Sequence, residues 1–353
     1  MPTSASIPVT RVEASRRGSV DFDRLPFGQV FSDHMFVATC VDGDWGEGAI
    51  VPYGPLPVYP TSLAIQYAVS VFEGFKAYRT PDGRAGVFRP DRNFERLNRS
   101  ARRMVMPEVP RELFYGALEA VIEIDRDWIP GPAQGSLYLR PTYFCADPSL
   151  MVEPGSEFRF VFVTGPAGPY FGGRLGLVTT RKYVRAFPGG TGDIKPSGNY
   201  AGSLLATREA QRAGYQNVIW LDGIERRYVE ECGVMNVFFV LDGTAVTPPL
   251  EGTILPGVTR DSVLRLLADF GVPFEERRVS VDELVERAER GELSEAFGVG
   301  TAAIVAPIQR LGLDGHDVVL EERPGSLAER VKVELLGIQT GEIEDRHGWL
   351  YRV

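Results

Sequence analysis

Lysine is rare in this chain, and one of its lysines lies in a loop suited to covalent chemistry. Of the 38 basic residues only four are lysines, Lys76, Lys182, Lys195 and Lys332. An ε-amine can lose its proton and attack a carbonyl carbon to form a Schiff base, whereas a guanidinium stays protonated. Lys195 lies in a segment of small and turn-forming residues, residues 189–200. We therefore identify Lys195 as the candidate nucleophile, with a solvated surface lysine as the alternative.

Two later segments have the composition of phosphate-binding loops. In residues 255–261 a helix follows a proline-glycine turn, so the amides of Val258 and Thr259 are expected to lack intrahelical acceptors at the positive end of that helix. Residues 297–303 place Thr301 after a glycine-rich turn, but the chain continues as a strand and gives only a weak dinucleotide-binding match. Each segment alone could be an ordinary helix start or turn.

A carboxylate pair, Glu230 and Glu231, lies between two strand-like runs. A buried carboxylate there could face a pyridine nitrogen, while the alternative is a surface pair at the end of a hairpin. The pieces occur in the order lysine, carboxylate, first phosphate loop, second phosphate loop. Their joint occurrence favours a cofactor that carries an aldehyde, a ring nitrogen and a phosphate.

Composition and charge exclude several other classes. The net charge of −9 argues against nucleic acid or an anionic membrane as the main partner. No apolar run reaches the roughly 18 residues of a membrane span, and the N-terminal residues lack the apolar core of a signal peptide. The three histidines are far apart, so neither a metal site nor a hydrolase triad is predicted. Three unpaired cysteines are typical of reduced thiols in a cytoplasmic protein.

The pattern of strands and helices predicts two α+β domains, each a mixed sheet or barrel with flanking helices. Strands and helices interleave irregularly, without an alternating βαβ series. We predict an N-terminal arm over 1–20, a small α+β domain over 21–163, an interdomain loop over 164–174 and a large cofactor-binding domain over 175–353. The loop is assigned from its prolines and glycines.

Two local predictions concern the neighbourhood of the lysine. A helix is expected from about 198 to 213, with Leu204, Leu205 and Ala206 facing inward. The dipeptide Asp222-Gly223 between apolar runs predicts a β-hairpin, because aspartate and glycine accept the positive φ of its turn.

Several motifs resemble those of one known family across almost the whole chain beyond residue 25. The chain resembles the fold-type-IV pyridoxal-phosphate enzymes, and more closely the branched-chain amino-acid aminotransferases shared by actinobacteria and animals. The motifs that carry the resemblance are FSDHM at 31–35, FEGFKAYR at 72–79, FRPDRNFERLNRSARRM at 88–104, LYLRP at 137–141, GNY at 198–200, EECGVMN at 230–236, ILPGVTRDS at 254–262, VGTAA at 299–303 and the C-terminal IQTGEIEDRHGWL.

The resemblance implies a role for each matching residue. Lys195 would form the internal aldimine with pyridoxal 5′-phosphate and shuttle the proton, Glu231 would pair with the pyridine nitrogen, and Tyr200 would bond the phenolic oxygen. The implied phosphate binders are Arg96, Val258, Thr259 and Thr301, and the implied substrate-binding residues are Tyr67, Phe72, Tyr138, Arg140, Tyr170, Thr301 and Ala302.

The resemblance also implies an activity and an assembly. The expected reaction is amino transfer from L-leucine, L-isoleucine or L-valine to 2-oxoglutarate, giving L-glutamate, in a cytoplasmic homodimer. A D-amino-acid aminotransferase, an aminodeoxychorismate lyase and a non-catalytic scaffold on the same fold are the alternatives. The sequence departs from the family at Ala303 and Ala306, where animal relatives carry a Cys-x-x-Cys pair, at Pro196, where a glycine is frequent, and at Val234.

Overall fold

The computed structural model describes residues 7–170 and 174–353, which divide into two compact units. Each unit contains one β-sheet with flanking helices, so the predicted α+β class is confirmed. The first unit comprises the described residues of Met1–Tyr170 together with Lys195–Gly198 and Gly337–Val353, and the second comprises those of Phe171–Ile194 and Asn199–Leu336.

The first unit contains an antiparallel sheet whose core side is aromatic. In the described residues its strands run in the order β18-β6-β5-β7-β8-β1-β2, with β3 paired to β1 and β4 paired to β7. Phe114 on helix α3 packs against Phe75 and Phe162 on that side. The elements are β1 His34–Val41, β2 Asp44–Trp45, β3 Ala49–Pro52, α1 Leu63–Tyr67, β4 Ser70–Phe72, β5 Phe75–Arg79, β6 Ala85–Phe88, α2 Pro90–Arg103, α3 Arg111–Ile124, β7 Ser136–Cys145, β8 Glu157–Ala167 and the C-terminal β18 Leu350–Arg352, with 3₁₀ turns at Arg17–Ser19, Phe22–Arg24 and Arg126–Trp128.

The second unit contains a mixed sheet. Its described strands run in the order β11-β10-β9-β16-β15-β12-β13-β14, with β17 paired to β16, and β9 is parallel to both of its neighbours. The hairpin of β10 and β11 forms next to Asp222-Gly223 as predicted, but residues 222–228 connect its strands, and the residue with positive φ is Arg226 rather than Asp222 or Gly223. The elements are β9 Leu175–Thr179, α4 Gly198–Ala201, α5 Leu204–Arg212, β10 Asn217–Leu221, β11 Val229–Cys232, β12 Asn236–Leu241, β13 Thr244–Thr247, α6 Val258–Asp269, β14 Phe274–Glu276, α7 Val281–Glu289, β15 Leu293–Gly300, β16 Ile304–Leu313, β17 His316–Val319 and α8 Leu327–Thr340.

The helix predicted over 198–213 is instead two short helices, and its apolar face was predicted wrongly. Leu204 and Leu205 are 69% and 54% exposed, while Ala206 and Ala210 are buried. The two alanines are four residues apart, so they share one helix face, and they pack in a cluster with Trp220 of β10. Small side chains allow the helix to approach the strand closely, which leaves the leucines off that face.

The division of the chain differs from the predicted boundaries. The sequence predicted a continuous domain over 175–353, but residues 195–198 and 337–353 belong to the first unit. Strand β8 continues to Ala167 inside the predicted loop 164–174, because it pairs with β7 along its whole length. Residues 171–173 of that loop and residues 1–6 of the predicted arm lie outside the described residues.

The described part of the predicted N-terminal arm is hydrogen-bonded to the rest of the first unit. Thr10 donates its backbone N–H to the carbonyl of Ile50, and Val12 donates to Nε2 of His34 at 3.1 Å. His34 Nδ1 lies 2.8 Å from a carboxylate oxygen of Asp125, so the imidazole links the arm to the end of α3. In the ranges that the structure describes, no helix is long and apolar enough to cross a lipid bilayer.

Candidate active site

The backbone of Lys195 is held by two elements of the first unit. Its N–H donates to Oγ of Ser100 on α2 at 3.0 Å, and its carbonyl accepts from the N–H of Phe72 at 3.2 Å. Val71 and Pro196 form an isolated antiparallel bridge, in agreement with the extended backbone expected before a proline. The lysine is therefore anchored by main-chain bonds on both sides of its own Cα.

An aromatic ring and a guanidinium lie next to the amine. Nζ of Lys195 is 4.9 Å from the ring centroid of Phe72, and Cζ of Arg140 is 4.7 Å from the same centroid. Arg140 also donates from Nη2 to the hydroxyl of Tyr138 at 3.1 Å. Its Nε is buried and has no hydrogen-bond partner among the described residues. An anionic ligand would satisfy this donor.

Phe27 extends this group and was missed at the level of sequence. Its ring centroid lies 5.0 Å from that of Tyr138 and 4.9 Å from that of Tyr170, both in edge-to-face geometry. Tyr67, another predicted substrate-binding residue, is 41% exposed, and its hydroxyl donates to the carbonyl of Leu150. No periodicity marks Phe27, because it lies in an irregular segment before β1.

Arg96, a predicted phosphate binder, forms a buried ion pair with Glu73. Nε and Nη2 of Arg96 lie 2.6 and 2.8 Å from the two oxygens of the Glu73 carboxylate, and Asn93 donates to it at 2.8 Å. Burial alone would raise the pKa of Glu73, but the charge and hydrogen bonds of Arg96, with a contribution from Lys195, hold it below its ordinary value. The sequence contained one signal for Glu73, a carboxylate between two apolar strand segments.

In the second unit, Glu231 and Tyr200 line the same cavity. Oε1 of Glu231 accepts the backbone N–H of Leu255 at 2.8 Å, and Oε2 lies 3.2 Å from Nε of Arg185. The Nε–H of Arg185 makes no aligned hydrogen bond, so this contact is an ion pair. Both side chains are buried. The cavity therefore presents a charge-paired carboxylate and a phenol.

The predicted phosphate binders Val258 and Thr259 are the first two residues of α6. The N-cap is Gly257, which has no side chain to accept from the first amides of the helix. A Cβ on Gly257 would lie 2.1 Å from Oδ1 of Asn236, whose Nδ2 donates to the carbonyl of Leu255. These amides form the positive end of the helix dipole, which stabilises a bound anion.

Thr301 and Ala302 lie in the turn between β15 and β16. The turn ends at Ile304, which has φ of +63°. A β-branched residue in the left-handed region costs about 1–3 kcal/mol and is held there by the surrounding strands. The backbone of Asn236 pairs with Val299 near the end of β15 and its side chain bonds the carbonyl of Leu255, so one residue contacts both the strand before this turn and the segment before α6.

Each unit, taken by itself, brings together groups with distinct chemistry. The first unit brings together Lys195, Phe72, Tyr138 and Arg140, and the second brings together Tyr200 and Glu231. Uncapped helix amides suit phosphate oxygens, and a buried carboxylate suits a protonated ring nitrogen. Within residues 7–170 and 174–353, no group of three or more His, Cys, Asp or Glu side chains could hold a metal ion.

Comparison with known proteins agrees with this chemistry. The sequence model of the family described as amino-transferase class IV matches residues 70–311. The chain belongs to the class IV aminotransferases. It is 44% identical over 339 residues to branched-chain-amino-acid transaminase 1 of Bacillus subtilis, covering 94% of this chain and 95% of that protein. It is 45% identical over 338 residues to the branched-chain-amino-acid aminotransferase of Mycolicibacterium smegmatis, covering 93% and 92%.

A solved structure extends the comparison to the fold. A branched-chain amino acid aminotransferase from T.th., crystallised with pyridoxamine 5′-phosphate, matches with a TM-score of 0.74 at 30% identity. The match covers 89% of this class IV aminotransferase and 97% of the other chain. The predicted family and fold type are therefore confirmed.

We expect the buried pair of Glu73 and Arg96 to stabilise the aminotransferase strongly. Glu73→Ala leaves the Arg96 charge buried without this carboxylate, and breaking a buried pair costs about 3–5 kcal/mol. Urea unfolding of the apoprotein measures the loss. The matched control is Arg92→Ala on the same helix, which removes an exposed pair with Glu95 worth less than about 1 kcal/mol. Similar small losses for both variants would contradict the assignment.

Proposed function

We propose that this chain catalyses amino transfer between L-leucine, L-isoleucine or L-valine and 2-oxoglutarate, with pyridoxal 5′-phosphate as cofactor. Both curated relatives named above are branched-chain aminotransferases, and both align over more than nine-tenths of the chain. The solved relative contains the amino form of the same cofactor. The family supports the chemistry, and the residues around Arg140 support the choice of substrates.

The observation that carries the substrate assignment is the group of Phe72, Tyr138 and Arg140. Aromatic ring faces bury an aliphatic side chain without polar requirements. The same group presents a guanidinium whose buried Nε has no hydrogen-bond partner among the described residues, and a carboxylate of glutamate or 2-oxoglutarate would satisfy it. One set of side chains thus suits both an aliphatic and a dicarboxylic substrate.

The proton is moved by Nζ of Lys195 in this proposal. When bound, pyridoxal 5′-phosphate would supply an aldehyde carbon that reacts with the amine of Lys195 or of the substrate, and a protonated ring that withdraws electrons from the substrate Cα. Once the amino group of the substrate has displaced it from that carbon, Nζ of Lys195 would take the proton from the substrate Cα and return it to the former aldehyde carbon; a positioned base of this kind contributes about 10²–10⁴-fold to the rate. The bonds from Ser100 and Phe72 fix the backbone from which the amine acts.

The remaining site residues bind and orient the cofactor. The carboxylate of Glu231 would accept a hydrogen bond from the protonated ring nitrogen, and the hydroxyl of Tyr200 would donate to the phenolic oxygen. The amides of Val258 and Thr259 at the start of α6 and the side chain of Thr301 would bind the phosphate, and Arg96 is the further phosphate binder that the resemblance implies. The turn amides at Thr301 and Ala302 orient the substrate carboxylate, with Tyr67 and Tyr170 as further substrate contacts.

The same proposal includes a cytoplasmic homodimer. Exposed apolar side chains cluster in the first unit around the Tyr67–Leu150 hydrogen bond, namely Ile65, Tyr67, Leu150, Met151 and Val152. A second copy would cover such a patch. The three free cysteines are all buried, as expected of reduced thiols. Sedimentation equilibrium should give twice 38.9 kDa; an active monomer would contradict the assembly.

Single-turnover kinetics with several amino donors tests the function and the role of Arg140 together. The wild-type holoenzyme should react with L-leucine and L-glutamate and not with D-alanine. Discrimination among L-leucine, L-isoleucine and L-valine should be small, because one methylene is worth about 1–3 kcal/mol. Arg140→Ala should slow the L-glutamate reaction by at least about 30-fold, the equivalent of about 2 kcal/mol, and the L-leucine reaction much less.

The control is Arg159→Ala, which removes an arginine of β8 that pairs with Glu157 outside this group. It should leave the ratio of the two rates unchanged. Equal losses for both donors in Arg140→Ala would reject the carboxylate role. Faster reaction of the wild-type enzyme with D-alanine than with L-leucine would reject the branched-chain assignment.

A further inference from the structure

Arg185 joins three parts of the second unit that lie far apart in sequence. Its Nη2 donates to the carbonyl of Thr253, which precedes α6, and to the carbonyl of Gly192 in the lysine loop at 3.3 Å. Its Nε lies 3.2 Å from Oε2 of Glu231. The side chain is 9% exposed, so its charge acts in a largely desolvated environment.

The lysine loop and the segment before α6 approach each other closely at this arginine. A Cβ on Gly192 would lie 2.3 Å from the carbonyl oxygen of Thr253 and 2.4 Å from Cβ of Ala186. Only glycine fits between them without displacing the backbone. The two carbonyls that Arg185 binds therefore have fixed positions, and they fix the guanidinium in turn.

The guanidinium contacts the carboxylate of Glu231 directly, and its charge also acts on Glu230, the neighbour in the strand. Glu230 and Glu231 are consecutive in β11, at an irregularity of its pairing with β10: Glu231 pairs with Trp220 and Val229 pairs with Leu221, so Glu230 is the bulged residue between them. Glu230 accepts from the hydroxyl of Thr253, and burial raises its pKa. Glu231 lines the cavity together with Arg185 and Tyr200, and its second oxygen is held by the N–H of Leu255.

We propose that Arg185 is a positioning residue that holds Glu231 as an oriented carboxylate and thereby makes the cavity selective for a ring that carries a protonated nitrogen. A buried carboxylate without a cation would tend to become neutral and would then lose its attraction for a pyridinium. The arginine does not touch the cofactor in this role; it acts through Glu231. This inference rests on the proposed function, because it assumes that the ring nitrogen of pyridoxal 5′-phosphate faces Glu231.

Binding of two cofactors to the apoprotein tests the inference without any activity measurement. The first is pyridoxal 5′-phosphate and the second is 1-deazapyridoxal 5′-phosphate, in which carbon replaces the ring nitrogen. Dissociation constants come from titration of tryptophan fluorescence. The wild-type protein should prefer the natural cofactor, and Glu231→Gln should remove most of that preference because the analogue cannot use the carboxylate.

Arg185→Gln should shift the ratio of the two dissociation constants by about 10-fold or more in the same direction, since groups that orient a binding residue typically contribute about 10–100-fold. Combining it with Glu231→Gln should add little to the shift, because both changes remove the same interaction.

The matched control is Arg260→Gln. This change removes another arginine that bonds a main-chain carbonyl and a glutamate, namely the carbonyl of Pro248 and the carboxylate of Glu276. The control should leave the ratio unchanged.

Equal weakening of both cofactors in Arg185→Gln, with the wild-type preference intact, would overturn the role of Arg185 and leave the proposed function standing. If that variant does not fold, Arg185→Met decides, because it removes the charge and keeps a side chain of similar length: a shifted ratio supports the role and an unchanged ratio overturns it. A wild-type protein that binds neither compound would overturn the proposed function and this inference together.

Discussion

A charged carboxylate buried in protein needs a cation at contact distance, and this requirement shapes both units. In the first unit the partner of Glu73 is Arg96, with oxygen–nitrogen distances of 2.6 and 2.8 Å. In the second unit the partner of Glu231 is Arg185 at 3.2 Å. Removing either cation would leave a desolvated charge, which is why each pair constrains the strands and loops that carry it.

The two pairs differ in what surrounds them. Glu73 is fully buried and bonded to α2 through Asn93 as well as Arg96, so that pair mainly fixes a helix against the β4–β5 region. Glu231 lines a cavity, and its partner also binds the carbonyls of Gly192 and Thr253. The second pair therefore relates a carboxylate to the loops that precede Lys195 and α6. The buried pair of the first unit stabilises the structure, whereas the pair of the second unit places a charged carboxylate at a cavity.

Much of the fold could be predicted from local pattern. The hairpin next to Asp222-Gly223, the α2 helix and the strand before the Thr301 turn all follow from residue types within a few positions. Leu204 and Leu205 were assigned wrongly because helix periodicity does not reveal which face meets a strand. Small residues at Ala206 and Ala210 decided that face, through contact with a strand several residues later.

The resemblance supplied the candidate site residues, but it did not supply their partners. Glu73 and Arg185 could not be found from spacing, because each contact joins segments more than 20 residues apart. The assignment of residues 195–198 to the first unit could not be predicted from local pattern either, because it depends on hydrogen bonds to Ser70, Phe72 and Ser100. Contacts between segments distant in sequence therefore decide the partners of the site residues and the unit to which residues 195–198 belong.

The central claim is that a single amine, Nζ of Lys195, attaches the cofactor. Borohydride reduction of the holoenzyme, followed by proteolysis and mass spectrometry, locates the attachment directly. We expect one pyridoxyl group per chain, on the peptide that contains Lys195. A pyridoxyl group on Lys76, Lys182 or Lys332, or on no residue, would contradict it.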